Sequence, residues 1–257
     1  MGLFGKVFEK KQCSICGNDI GILGNRKLED GNMCKECASK LSPFFSDRRS
    51  STVAEIEQQL AYREENKEEV KAFHTTRTIG ENKKLLLDED AKKFMVTSAR
   101  NLEDANPDVI KFSDVTGVDF KIEEDKSEEK REDKDGNKVS YNPPKYIFEY
   151  DFHITIHVNN PFFDTISFQL NPSSVQINED NPLPINQKPN ERQNREYQQY
   201  EKMGNDIKNV LTVARQEARH DREAAAAPKQ PVICPLCGAT TIPTPAGTCE
   251  YCGGPVK

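Results

Sequence analysis

The chain has 257 residues, 30% of them charged, with no tryptophan, a mean hydropathy of −0.78 and a formal net charge of −6. That is about two domains' length of a polar protein, and no stretch approaches the ~18 consecutive apolar residues of a spanning helix. The opening MGLFGKVFEKK holds no apolar run long enough for a secretory leader, so the expected compartment is the cytoplasm.

Charge is unevenly spread. Residues 1–50 carry 9 basic and 6 acidic side chains (net +3), 51–227 carry 25 and 35 (net −10), and 228–257 carry 2 and 1 (net +1). A protein that tracks phosphates needs a basic face, so the acidic middle opposes nucleic-acid binding except through a small terminal module.

All eight cysteines fall into four CxxC pairs: Cys13/Cys16 and Cys34/Cys37 near the start, Cys234/Cys237 and Cys249/Cys252 near the end. Reducing conditions disfavour disulfides, and pairs separated by 17 and 11 residues match four-thiolate zinc sites. Two intervening residues let one tight turn aim both sulfurs at a tetrahedral ion, and the second pair closes the shell. The sequence therefore predicts two structural zinc ions per chain, since a closed shell leaves no position for a reacting water. Thioredoxin-like redox pairs would need a βαβ context that is missing here, and an iron–sulfur cluster is the other use of the same thiolates.

In the first module, Gly17 suits the left-handed backbone of a metal knuckle, Gly24-Asn25 and Asp30-Gly31 mark turns of a short hairpin, and Cys34 opens a helix ending before Pro43. That order predicts a treble-clef-like finger over 1–50. The CxxCG, LEDG and CxxC pattern from Cys13 to Leu41 resembles the bacterial domain-of-unknown-function family 4428. The resemblance implies zinc binding by Cys13, Cys16, Cys34 and Cys37, often a middle domain like this one, and no known activity.

Residues 51–75 read as one connecting helix with Thr52 and Glu55 as its capping pair. Val53, Ile56, Leu60, Val70 and Phe73 form its apolar stripe, and Arg63, Glu64, Glu65 and Lys67 form a solvated charge run. From residue 76 the period changes to two, with strands expected at 76–79, 85–87, 94–97, 109–112, 115–122, 146–158, 165–170 and 175–177. The longest, 146–158, should bend strongly enough to serve two sides of a small barrel. His153 and His157 share its wet face with Glu149 and Asp151, but four residues along a strand span ~13 Å, too far for one ion. Residues 121–138 lack an EF-hand register and read as a mobile hairpin excursion with Asp135-Gly136 at its tip.

Residues 192–219 return to helical period, with Tyr197, Tyr200, Met203, Ile207, Val210, Leu211 and Ala214 on one stripe. The expected class is therefore α+β: a small antiparallel barrel or sheet over 76–220, closed by this helix, in the element order of a pleckstrin-homology-like domain. A linker at 221–231, stopped by Pro228 and Pro231, leads to a minimal zinc ribbon at 232–257. The finger should be fixed to the barrel through Leu41, Phe44, Phe45, Val53, Ile56 and Leu60, and the ribbon should ride on its spacer.

The chain contains no nucleophile motif, phosphate-cradling Gly loop or dinucleotide fingerprint, so no enzymatic activity is expected. The expected function is a non-catalytic zinc-binding adaptor for a protein partner. The alternatives are nucleic-acid binding through Lys6, Lys10, Lys11, Arg26, Lys27, Arg48 and Arg49, and peripheral membrane binding aided by Leu3, Phe4, Val7 and Phe8. Lys6 stands where a myristoylation signal needs Ser or Thr.

Overall fold

The computed structural model describes residues 11–21, 23–226 and 231–256. The apolar N-terminal segment around Leu3, Phe4, Val7 and Phe8, the cations Lys6 and Lys10, and the central part of the expected linker, 227–230, lie outside them. The chain divides into two compact units, Met1–Arg215 and Gln216–Lys257.

The first unit begins with two tiny antiparallel ladders, β1 (Lys11–Gln12) with β2 (Asp19–Ile20) and β3 (Arg26–Lys27) with β4 (Asn32–Met33), followed by the single-turn α1 (Lys35–Ala38). A 3₁₀ turn at Asp47–Ser50 leads into α2 (Val53–Ala72). Here Thr52 Oγ1 accepts the Glu55 amide and Glu55 Oε2 accepts the Thr52 amide at 2.7 Å, the reciprocal cap expected from the sequence. Asp30 Oδ1 takes the next free amide, that of Val53, at 2.8 Å, which fixes the helix start to the hairpin. Ile56 is fully buried in one core with Ile20, Leu28, Met33, Leu41 and three of the cysteines, and Val53, Leu60 and Phe45 pack on its rim.

The charge run on α2 is not simply solvated. Its inward face repeats at three- and four-residue steps as Ile56, Gln59, Arg63, Asn66 and Val70, and Arg63 is only 5% exposed. Arg63 pairs with buried Asp108 at 2.7 Å, donates to the carbonyls of Lys40 and Asn106, and Asp108 also accepts from Ser42 Oγ at 2.8 Å. Asn66 donates to Asn106 Oδ1 and the Pro107 carbonyl, both at 2.8 Å, and accepts the Val109 amide. Periodic apolar patterning cannot reveal such a face, because its middle turns bury polar groups matched one by one to partners elsewhere in the chain. Glu64 and Lys67 do face water, as an exposed i,i+3 pair.

The β region forms two antiparallel sheets, with no closed barrel among the described residues. One is a meander of β5 (Arg77–Ile79), β6 (Lys84–Asp88) and β7 (Lys93–Thr97) which, after the one-turn α3 (Leu102–Ala105), ends in β8 (Ile110–Lys111). The other is built on the long hairpin of β9 (Val115–Glu132) and β10 (Lys138–Val158). β11 (Thr165–Gln169), β12 (Val175–Ile177) and β13 (Leu183–Pro184) all pair with the far flank of β10. β10 thus serves one sheet along its whole length and does not bend into two. The excursion at 121–138 is likewise a continued ladder, turning at residues 133–137 with Gly136 at φ +80°. Alternate residues Phe148, Tyr150, Phe152, Ile154, Ile156 and Val158 of β10 are buried, as its period-two pattern demands.

α4 (Arg195–Ala226) lays Tyr197, Tyr200, Ile207 and Leu211 into this core. Tyr197 meets the rings of Tyr150 and Phe152 edge-on at 5.1 Å, and Tyr200 donates to Glu81 in the turn before β6. Gly204 is required by close approach: a Cβ there would stand 2.2 Å from the Phe120 ring. The helix runs on through residues 221–226, the first part of the expected linker.

The second unit contains the end of α4 and a small module with one ladder, β14 (Val232–Ile233) against β15 (Thr240–Thr241). Its core is Cys234, Cys249 and Val256, with Val232 packed alongside.

Candidate metal centres

Each four-cysteine group is assembled by backbone hydrogen bonds that repeat from knuckle to knuckle. In the first, the Gly17 amide donates to the Cys13 carbonyl at 2.8 Å and the Cys13 amide returns to Asn18 at 2.9 Å. The ribbon repeats this twice, Gly238 to Cys234 with Cys234 to Ala239, and Gly253 to Cys249 with Cys249 to Gly254. Gly17 and its two counterparts all sit near φ +70°, a conformation that costs a side chain but not glycine. The fourth knuckle differs because its pair opens α1. Cys34 is the N-cap, its sulfur accepting the Cys37 amide at 3.3 Å, while the Cys34 amide donates to Cys13 Sγ at 3.2 Å.

These turns bring together all eight cysteines expected from the sequence. Cys13, Cys16, Cys34 and Cys37 form one group and Cys234, Cys237, Cys249 and Cys252 the other, with the sulfurs of each within 4.8 Å of one another. Sγ···Sγ separations are 3.8 Å for Cys16–Cys34, 3.6 Å for Cys234–Cys252 and 3.8 Å for Cys237–Cys249. A disulfide would need ~2.05 Å, whereas a tetrahedron with metal–sulfur arms of ~2.3 Å has edges of ~3.8 Å. The donor set therefore fits one tetrahedral metal ion per group. It is too tight for a polynuclear iron–sulfur cluster, which spreads its cysteines over several irons.

Thiol electrostatics agree with that fit. Burial opposes ionisation of Cys13, but amides at Cys16, Cys34 and Ile15 overcome it and hold the thiol down at about 6, whereas burial and then its sulfur neighbours push Cys37 far up. In the ribbon, burial at Cys249 is likewise outweighed, chiefly by the Cys252 and Tyr251 amides, and the thiol falls to about 6. At Cys252 the Gly254 amide pulls downward, but the Cys237 and Cys234 sulfurs drive the thiol up to about 12. Each group thus holds easily ionised thiols beside others that resist a further negative charge, a conflict that a bound cation removes.

The strand histidines are not brought together. His157 Nε2 lies 2.9 Å from Asp119, and His153 Nε2 lies 3.7 Å from Glu123, two separate pairs of a half-buried histidine with an exposed carboxylate. Among the described residues only the two cysteine groups have metal-binding geometry, and no helix is long and apolar enough to cross a membrane.

Residues 11–59 match the family model described as Domain of unknown function (DUF4428). The matched segment holds the first cysteine group and ends two turns into α2, just past Val53 and Ile56, whose side chains complete the finger's core. The family is thus similar to the finger with its helical lid, and the match stops before the sheets. No curated protein and no solved structure matches the chain.

Proposed function

We propose that the chain is a non-catalytic zinc-binding adaptor, in which two structural four-thiolate zinc sites stiffen small modules at the two ends of a pleckstrin-homology-like middle domain. The observation that carries the reading is the pair of complete thiolate sets at tetrahedral-edge spacing, since four filled positions leave none for a substrate or a water. Cys13, Cys16, Cys34 and Cys37 hold the first ion, and Cys234, Cys237, Cys249 and Cys252 the second. Bound zinc would supply folding energy to modules whose apolar cores are too small to stand alone. The middle-domain reading is supported by element order: a four-stranded meander, then the β9–β10–β11 meander, then a long helix whose aromatic residues pack on the second sheet. Domains of that build receive peptides along strand edges and grooves, which suits a protein partner in the cytoplasm.

Native mass spectrometry of the full chain tests the metal reading directly. Two zinc ions per chain are expected; one ion, none, or iron in their place overturns it.

A second reading, nucleic-acid binding by the finger, draws support from Arg26, Arg48 and Arg49, which lie close enough for their charges to lower the Arg48 guanidinium beyond what burial alone does. The net −10 of residues 51–227 weighs against it. A gel shift of the full chain with duplex DNA at physiological salt separates the readings: the adaptor predicts no submicromolar complex, and a tight, steeply salt-dependent one favours nucleic acid.

A further inference from the structure

β10 is covered on both flanks, by β9 on one side and by β11, β12 and β13 on the other. β9 is covered on one. Among the described residues no strand pairs with its outer flank, and residues 119–132 make no backbone hydrogen bond beyond the hairpin. Residues 123–127 and 130–132 are exposed. A long open edge is a template for another strand, and proteins commonly guard such edges with charge. Charge of a single sign would hold copies apart, but here the signs come in blocks: Glu123-Glu124-Asp125-Lys126, then Ser127, then Glu128-Glu129-Lys130-Arg131.

We propose that this edge pairs antiparallel with the same edge of a second copy, Ser127 opposite Ser127 on a two-fold axis, so that two hairpins join into one continuous sheet. The partner is fixed by complementarity. Alternate residues of an edge strand point their amide and carbonyl outward, so two copies of one edge can pair only residues of like parity, and the axis must pass through a residue. With Ser127 on the axis, Lys126 faces Glu128, Glu124 faces Lys130 and Glu123 faces Arg131, each twice by symmetry; only Asp125 faces a like charge, Glu129. An axis one residue away, on Lys126 or Glu128, sets Glu124 against Glu128 or Lys126 against Lys130. An axis on Asp125 opposes as many unlike charges, but of the five axes from Asp125 to Glu129 only Ser127 sets no charge against its own copy. Contacts within one copy, such as Lys121 to Glu123 at 2.7 Å and Lys126 over the Tyr146 ring at 4.0 Å, are exposed and weak enough to be shared with a partner.

Sedimentation equilibrium of the metal-loaded full chain at about 100 µM tests this in low salt and in about 1 M salt. The expected mass is twice 29.1 kDa at low salt, falling toward 29.1 kDa as salt screens the pairs. Each charge reversal acts twice, so Glu123→Lys alone and Arg131→Glu alone should raise the dissociation constant about tenfold or more, and the double reversal should restore the dimer. These residues lie eight apart on one strand, too far to rescue each other within a copy. Ser127→Cys provides an independent readout, because directly opposed residues have Cβ atoms about 4.5–5.5 Å apart and mild oxidation should yield a symmetric crosslink at position 127. A chain that stays at 29.1 kDa in low salt, a dimer indifferent to the reversals in correctly folded variants, or a dimer without that crosslink overturns the proposal. The zinc count is untouched by any of these outcomes, so they leave the adaptor reading separately testable.

Discussion

Arg63→Met separates a solvated helix from a buried anchor. In the folded chain the guanidinium reaches Asp108 Oδ1 at 2.7 Å and donates to the carbonyls of Lys40, beside the first metal group, and Asn106, on the loop before β8. At that separation the attraction is about 6 kcal/mol for an effective dielectric of 20, most of it offset by the cost of drying both ions. The pair itself therefore adds little. Removing one member is another matter, since it leaves Asp108 buried with the neutral hydroxyls of Ser42 and Tyr62 as its remaining partners, and losses of this kind run to about 3–5 kcal/mol. Burial already holds the Asp108 carboxyl above the usual carboxylate range even though Arg63 pulls it down, so losing Arg63 raises it further. A group whose folded pKa is raised contributes stability that is complete below its unfolded pKa and lost as pH rises through the folded value. The deficit of Arg63→Met should therefore be larger at pH 7 than near pH 4. The double variant Arg63→Met/Asp108→Leu should recover much of the loss, because no uncompensated charge is left. Urea unfolding of the metal-loaded full chain, followed by far-UV circular dichroism at both pH values, measures all three quantities. A single-variant cost within about 0.5 kcal/mol of zero, typical of an exposed helical charge, would refute the anchor.

Three further outcomes follow from packing and metal chemistry. Gly204→Ala should destabilise the β region: the helix gains about 1 kcal/mol from alanine, but a methyl 2.2 Å from the Phe120 ring, itself stacked on Phe152, costs about 1–3 kcal/mol, measurable as a lowered Tm. Gln59→Met should be neutral or stabilising by about 1–2 kcal/mol in urea titrations, because both polar atoms of the fully buried Gln59 side chain lack a hydrogen-bond partner among the described residues. Cys13→Ser or Cys34→Ser should lower the zinc count from two to one and unfold the finger, leaving the ribbon loaded; native mass spectrometry and zinc-release titration read both effects.

The strands were legible because one face of a half-buried sheet repeats every second residue. Expected strands at 76–79, 94–97 and 165–170 fall within a residue of β5, β7 and β11. β9 and β10 run far beyond the expected 115–122 and 146–158, and the reason is physical. Beyond residue 122 β9 buries no side chain and is mostly charged, before residue 146 β10 buries none and is broken by Asn142-Pro143-Pro144, and only the ladder itself, from Glu123↔Asp151 to Glu132↔Lys138, marks these stretches as strand. Closure was not legible at all. A long alternating strand is compatible with one sheet or with a bend between two, and nothing in the residues 146–158 distinguishes these.

The metal groups lie at the opposite extreme. Four sulfurs must meet at one point, and two residues between paired cysteines is one of the few spacings that lets a tight turn do it, so spacing alone located all eight ligand candidates. The attachment of the finger to the β region was half legible for the same kind of reason. Its apolar part, Val53, Ile56 and Leu60 against the finger core, follows a stripe that any helix must show if it buries one face. Its polar part, Gln59, Arg63 and Asn66, continues that stripe at helical spacing but without an apolar side chain to mark it. Arg63 and Asn66 are two turns of charged and amide side chains until Ser42, Asn106 and Asp108 are placed around them, and those partners come from segments 21 to 45 residues away with no composition of their own to flag them. Buried polar contacts are specified pairwise and across long separations, which makes them costly to disturb and invisible to any pattern read along the chain.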